Sequence, residues 1–195
     1  GESIVATGNI KLPNEAPILS TATGTDRPYI YAGGSFTTTS GKTVGTKDKP
    51  IDIICHGANI NTNMNVYGNL YSEGNVSFTD NNEKILGPMY VEGNLLFSKE
   101  MLNNINSAAD ITTRFGSGPI VYSGTATYND NNKPVQITTA INTLLNSTDP
   151  NKKAAGEALS KIFKRDNTLN LDLSGTDTPN GETKTITLPN GTDNK

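Results

Sequence analysis

Short runs in which apolar and polar residues alternate, each broken by glycine, recur along this chain. Two of them are one phrase written twice, nineteen residues apart: Tyr71-Ser72-Glu73-Gly74-Asn75-Val76-Ser77-Phe78 and Tyr90-Val91-Glu92-Gly93-Asn94-Leu95-Leu96-Phe97. A looser copy follows at Val121-Tyr122-Ser123-Gly124-Thr125-Ala126-Thr127-Tyr128. Side chains of a strand alternate faces with period two. One face therefore carries Ser72, Gly74, Val76 and Phe78, matched by Val91, Gly93, Leu95 and Phe97 and continued by Ala126 and Tyr128; this is the predicted core. The other carries Tyr71, Glu73, Asn75 and Ser77, then Tyr90, Glu92, Asn94 and Leu96, a mostly polar series expected to face solvent. Units that repeat at this period bury their apolar faces only against neighbours. Equivalent residues should then form ladders about 4.8 Å apart.

Tyr29 to Phe36 and Ile51 to Ile60 read as further glycine-marked strands, and Gly8-Asn9-Ile10 echoes the Gly-Asn-apolar element. Two segments break the pattern. Ser98 precedes Met101, Leu102 and Ile105 as a helix N-cap would, predicting a short helix near 98–107. Ile141, Leu144 and Leu145 have helical spacing. Asp149-Pro150 then supplies an N-cap with proline at the first helical position, ahead of a stripe of Ala154, Ala158, Leu159, Ile162 and Phe163. The tail reads as two alternating strands, Thr168 to Leu173 and Thr183 to Leu188, joined by a turn-rich stretch, with disorder past Pro189. The expected fold is mainly β: a short parallel β-helix (β-solenoid) over 1–134, a helical hairpin inserted or capping over 135–166, and a C-terminal β-hairpin with a disordered tail over 167–195. Such a cap would cover backbone groups that an open end leaves unpaired.

Composition narrows the function classes. Hydrophobic residues are 33% of the chain, with abundant Gly, Asn and Thr, which suits turn-rich β-structure. A net charge of −3, a pI near 5.2 and only three arginines (Arg27, Arg114, Arg165) argue against a surface that tracks phosphates, so nucleic acid is excluded as a partner. No apolar run approaches the roughly 20 residues that span a bilayer. The opening Gly1-Glu2-Ser3-Ile4 has neither a basic leader nor an apolar signal core, and an upstream anchor or signal is compatible with a pattern already under way at Gly1.

Candidate chemistry is sparse. The single cysteine, Cys55, cannot build a disulfide framework, and its apolar flank marks it as a buried thiol. His56, the single histidine, adjoins it, but consecutive strand residues point to opposite faces, which argues against a Cys-His nucleophilic pair. Glu73 and Glu92 occupy equivalent positions one strand apart, a carboxylate pair whose repulsion must be relieved. Asp80-Asn81-Asn82-Glu83 and Asp130-Asn131-Asn132 are rich in oxygen ligands, which makes Asp80, Glu83 and Asp130 weak candidates for calcium, although neither loop has the EF-hand pattern. No other cofactor is implied. Tyr71, Glu73, Asn75, Tyr90, Glu92 and Asn94 form the candidate binding strip, because aromatic faces beside amides suit sugars or another protein.

The phrases Gly68-Asn69-Leu70, Gly74-Asn75-Val76 and Gly93-Asn94-Leu95 resemble the repeats of bactofilin-type polymer-forming proteins. They are similar also to the Gly-Asn-rich β-solenoid regions of Gram-positive surface proteins and of type IV pilus-associated, minor pilin-like proteins. The resemblance implies a secreted, non-enzymatic structural or adhesive module at the cell surface. Its expected partners are other surface or pilus proteins, or host and cell-wall glycans, with self-association possible. The alternatives are a self-assembling bactofilin-like scaffold, or a carbohydrate-active β-helix enzyme using Glu73 and Glu92.

Overall fold

The computed structural model describes residues 3–12, 17–21, 23, 27–39, 42–60, 64–79 and 84–171. The chain runs through very short strands in a regular order. It begins with β1 (Ile4–Ala6) and β2 (Ile10–Leu12), then β3 (Tyr29–Ala32), β4 (Phe36–Thr38) and β5 (Lys42–Val44). Next come β6 (Asp52–Cys55), β7 (Ala58–Ile60), β8 (Met64–Val66), β9 (Leu70–Ser72), β10 (Val76–Phe78) and β11 (Lys84–Ile85). After β12 (Met89–Val91) and β13 (Leu95–Phe97) a 3-10 turn at Lys99–Leu102 leads to α1 (Ala108–Phe115). The chain then forms β14 (Ile120–Tyr122), β15 (Ala126–Asp130), β16 (Lys133–Gln136), α2 (Ile137–Leu145), α3 (Pro150–Ile162) and β17 (Phe163–Arg165).

The strands fall into three sheets. The first has the order β1-β3-β6-β9-β12-β14-β17, the second β16-β15-β13-β10-β7-β4-β2 and the third β11-β8-β5. Every pairing is parallel except the β15–β16 hairpin. The repeated phrase is in register: Tyr71 pairs with Tyr90, and Val76 and Phe78 pair with Leu95 and Phe97. In the second sheet β4, β10 and β13 bury their first and third residues and leave the middle one half-exposed, as period-two alternation requires. In β9 and β12 of the first sheet all three residues are buried, the pattern of a parallel sheet covered on both faces.

Helices take the place of strands where the third sheet stops at β11. Helix α1 packs on β11 and α3, and α2 packs on α3, so Ile111, Phe115, Ile137, Ile141, Ala155, Leu159 and Ile162 join the same core as the strand residues. Phe97 of β13 meets Phe115 and Phe163 edge to face at 5.8 and 5.7 Å between centroids, tying the second sheet, α1 and β17 together.

The expected fold class, mainly β with a short parallel β-helix, is corrected by this arrangement. The fold is mixed α/β, its strands belong to three separate sheets, and helices supply part of one shared core. The two expected helices of the hairpin are present as α2 and α3, with Asp149 Oδ1 accepting from Asn151 N at 2.9 Å and Pro150 opening the second. The helix expected near 98–107 is only the 3-10 turn, where Ser98 makes no side-chain cap. The true cap is Ser107, which forms a reciprocal capping box with Asp110 and starts α1. The C-terminal hairpin expected over 167–195 falls almost wholly outside the described residues; within them, 166–171 forms a turn and an irregular segment.

Candidate functional site

The repeated phrase builds the corner where each first-sheet strand hands over to its second-sheet successor. Glu73, Glu92, Ser123 and Asp166 donate their backbone N–H groups to the carbonyls of Cys55, Ser72, Val91 and Tyr122, which puts His56, Glu73, Glu92, Ser123 and Asp166 in one row. A second row lies one glycine further on. Asn75 Oδ1 accepts from Asn94 N at 2.9 Å, and Asn94 Oδ1 accepts from Thr125 N at 2.9 Å. Asn9 repeats the device at the start of the chain, accepting from Ser35 N at 2.8 Å. Each asparagine thus satisfies a corner N–H in the following circuit of chain, a group that would otherwise be left without a partner.

The glycines have a matching reason. A Cβ at Gly34 would stand 2.2 Å from Asn9 Oδ1, and one at Gly124 would stand 2.1 Å from Asn94 Oδ1. Gly93, with φ +148°, faces Asn75 Oδ1 in the same way. The Gly-Asn phrase is therefore one interlocking unit: the amide of one circuit lies over the glycine of the next.

The sequence-predicted residues divide between two environments. Tyr71 and Tyr90, expected on a solvent-facing strip, are buried at 3% and 8% exposure, stacked on one another and packed with Tyr31, Ile54, Leu169 and Leu171. That expectation is corrected: the chain after β17 lays Leu169 and Leu171 over this face of the first sheet, and burial raises the Tyr90 hydroxyl above its ordinary value, with the neighbouring Tyr71 adding to the shift. Glu73 lies at the corner with its carboxylate 2.7 Å from His56 Nδ1, both half-buried. Glu92 occupies the adjacent place in the row. Asn75 and Asn94 are exposed corner residues whose carbonyl oxygens are committed to the backbone as described.

Cys55 and His56 point to opposite sides, as period-two geometry demands. Cys55 is fully buried, and burial pushes its thiol up to about 11, so the reactive thiolate is disfavoured. Of the metal candidates, Asp80 and Glu83 lie outside the described residues. Asp130 pairs with Lys99 at 2.9 Å, and the loop after it is the two-residue turn of the β15–β16 hairpin, with Asn131 and Asn132 at φ 51° and 62°. Among the described residues no group of three His, Cys, Asp or Glu side chains converges.

An open groove of ≈ 510 Å³ lies on the outer face of the second sheet. Its rows follow the strand register. Asn75, Asn94 and Thr125 form the corner row; Ser77, Leu96, Thr127 and Gln136 form the middle one; Asn129 and Pro134 close it. Among the described residues no lining side chain is charged. Protein-family models, curated proteins and solved structures were compared with this chain, and nothing matches. The groove was missed in the sequence because its far wall, Pro134 and Gln136, comes from β16, a strand whose signal is the Asp130-Asn131-Asn132-Lys133 turn. Asn75 and Asn94 belong to it; Tyr71 and Tyr90 do not.

Among the described residues no helix is long and apolar enough to cross a membrane.

Proposed function

We propose that the protein is a non-enzymatic structural or adhesive module of an extracellular or cell-surface assembly, acting through its sheet faces on surface or pilus-associated proteins or on glycans. One observation carries this reading: the residues that recur in the repeats hold the framework, while the groove beside them has no charged side chain among the described residues. The asparagines brace corners, the tyrosines stack beneath Leu169 and Leu171, and Glu73 is paired with His56. The remaining surface suits contact over an area better than chemistry at a point. The test is retention of labelled protein on bacterial cell-wall preparations, with the soluble fraction assayed for newly released sugar ends. Retention without release supports the reading; release of fragments, or no retention, overturns it.

A second reading, self-association, is favoured by the open end of the fold. Ile4, Val5 and Leu19 are the exposed large hydrophobics among the described residues: Ile4 and Val5 lie in β1, the edge strand of the first sheet, and Leu19 follows Ile18, which bridges Val44 of β5, the edge strand of the third. Exposed apolar edges template further pairing. The helices occupy the other end, so pairing through this one gives a closed dimer and no filament. Light scattering over a concentration series checks it: a monomer throughout counts against self-association.

A further inference from the structure

We propose that the groove over β10, β13, β15 and β16 is a binding site for a linear, uncharged oligosaccharide, a reading that rests on the adhesive function above and names its ligand class. The wall chemistry supports it. The carboxamides of Asn129 and Gln136 and the hydroxyl of Thr127 offer donors and acceptors together, as sugar hydroxyls require, and the amide groups of Asn75 and Asn94 add donors, around an apolar floor at Leu96 and Pro134.

The corner row sets a spacing. With Oδ1 of Asn75 and of Asn94 fixed on backbone N–H groups, Nδ2 is the donor that each of these groove-lining amides has left to offer, and the two residues repeat at the strand separation of about 4.8 Å. A ladder of rigidly held amides is pre-organised, so little side-chain freedom is lost when a chain of repeated polar units lies along it.

Charge and edge chemistry decide between ligand classes. An acidic glycan or a phosphorylated ligand requires cations, and among the described residues none lines the groove. An extended peptide would bind by adding a strand to the sheet edge that borders the groove, which is β16. Pro134 sits in the middle of that strand and has no N–H to donate, which interrupts the ladder such a peptide needs. A neutral sugar chain lying across the face uses side chains only and is indifferent to Pro134.

The experiment titrates the full chain with neutral linear hexasaccharides (glucose- and N-acetylglucosamine-based), with an acidic hexauronate and with an extended hexapeptide, following amide chemical shifts. Shifts confined to β10, β13, β15 and β16, produced by a neutral hexasaccharide and insensitive to salt, are expected. Asn129→Ala with Gln136→Ala removes two exposed amides that no framework bond uses and should weaken binding about tenfold. Binding only of the hexauronate or the peptide, binding of no sugar, or neutral-sugar binding unchanged in the double variant overturns the proposal. Cell-wall retention that survives the double variant leaves the adhesive reading intact and removes the groove from it; enzymatic release of sugar ends fails the adhesive reading itself.

Discussion

Tyr71 and Tyr90 stack face to face, 5.5 Å between ring centroids and 9° between planes, and the Tyr71 hydroxyl accepts a hydrogen bond from Asn69 Nδ2 at 2.8 Å. Both residues at the Asn69–Tyr71 bond are buried, so Tyr71→Phe leaves a buried amide without this acceptor and should cost about 1–3 kcal/mol. Tyr90→Ala removes the stacked ring altogether and should cost at least ~3 kcal/mol. Urea denaturation of the two variants measures both; changes within about 0.5 kcal/mol would mean that the tyrosines are surface residues.

The Gly-Asn interlock predicts an asymmetry between two corners. At Gly34 the close contact within 3 Å of an added Cβ is the side-chain oxygen of Asn9 alone. At Gly124 an added Cβ meets Asn94 Oδ1 and also the Gly93 carbonyl oxygen at 2.7 Å. Gly34→Ala should therefore be largely rescued by Asn9→Ala, apart from about 1 kcal/mol for the lost bond to Ser35 N. Gly124→Ala should stay strongly destabilising in an Asn94→Ala background, because backbone cannot step aside. Double-mutant cycles on thermal midpoints read the coupling.

Where helix meets strand, the core depends on one ring. Phe115 of α1 contacts Phe97 and Phe163 edge to face, at 5.8 and 5.3 Å. Phe115→Ala should cost about 3–5 kcal/mol. Ser107→Ala, which removes the capping-box acceptor, should cost only ~1 kcal/mol. Equal losses from the two would show that α1 is held by its cap and contributes little to the core.

The interior of the repeats was legible because strand alternation is strict: Val76, Phe78, Leu95 and Phe97 all lie in the core as the pattern requires. The outer face was not legible, since period two says which residues share a side but not what covers that side. Leu169 and Leu171, far along the chain, cover the tyrosines, whereas β16 borders the equivalent face of the second sheet and leaves it open. The helices α2 and α3 could be read from spacing and the Asp149-Pro150 cap. Their place in a shared core could not, because no local pattern reports that Gly156 lets α3 approach Leu144 and Leu145 closely. The fold class was misjudged for that reason: the helical segments looked like an appendage to the strands.

Cys55 gives the chain an alkaline limit. Burial pushes its thiol up to about 11 from 9.0, so above pH 9 the unfolded chain loses this proton before the folded one does. The folded state then binds more protons, and stability falls with rising pH by roughly 1.4 kcal/mol per unit until the folded thiol itself ionises. Below pH 9 the contribution is constant. Cys55→Ala should flatten the slope between pH 9 and 11 in denaturation measurements, while native Cys55 at pH 8 should resist a thiol reagent that labels it at once after unfolding.

The turn that lays the tail over the tyrosines hinges on Asp166. Its carboxylate accepts from Thr168 N at 2.9 Å and from Thr168 Oγ at 2.6 Å, and these bonds hold its carboxyl below the ordinary 3.8. A lowered carboxyl stabilises the folded turn at pH values above 3.8, and the contribution is lost as acid protonates it in the folded state. The segment 166–171 should therefore loosen below about pH 4, ahead of the core, exposing Tyr71 and Tyr90. Hydrogen exchange at Leu169 and Leu171 and quenching of tyrosine fluorescence by acrylamide follow it directly. Asp166→Ala should produce the same exposure at neutral pH and abolish the acid step; an acid step that persists in this variant would move the control of the tail to another carboxylate.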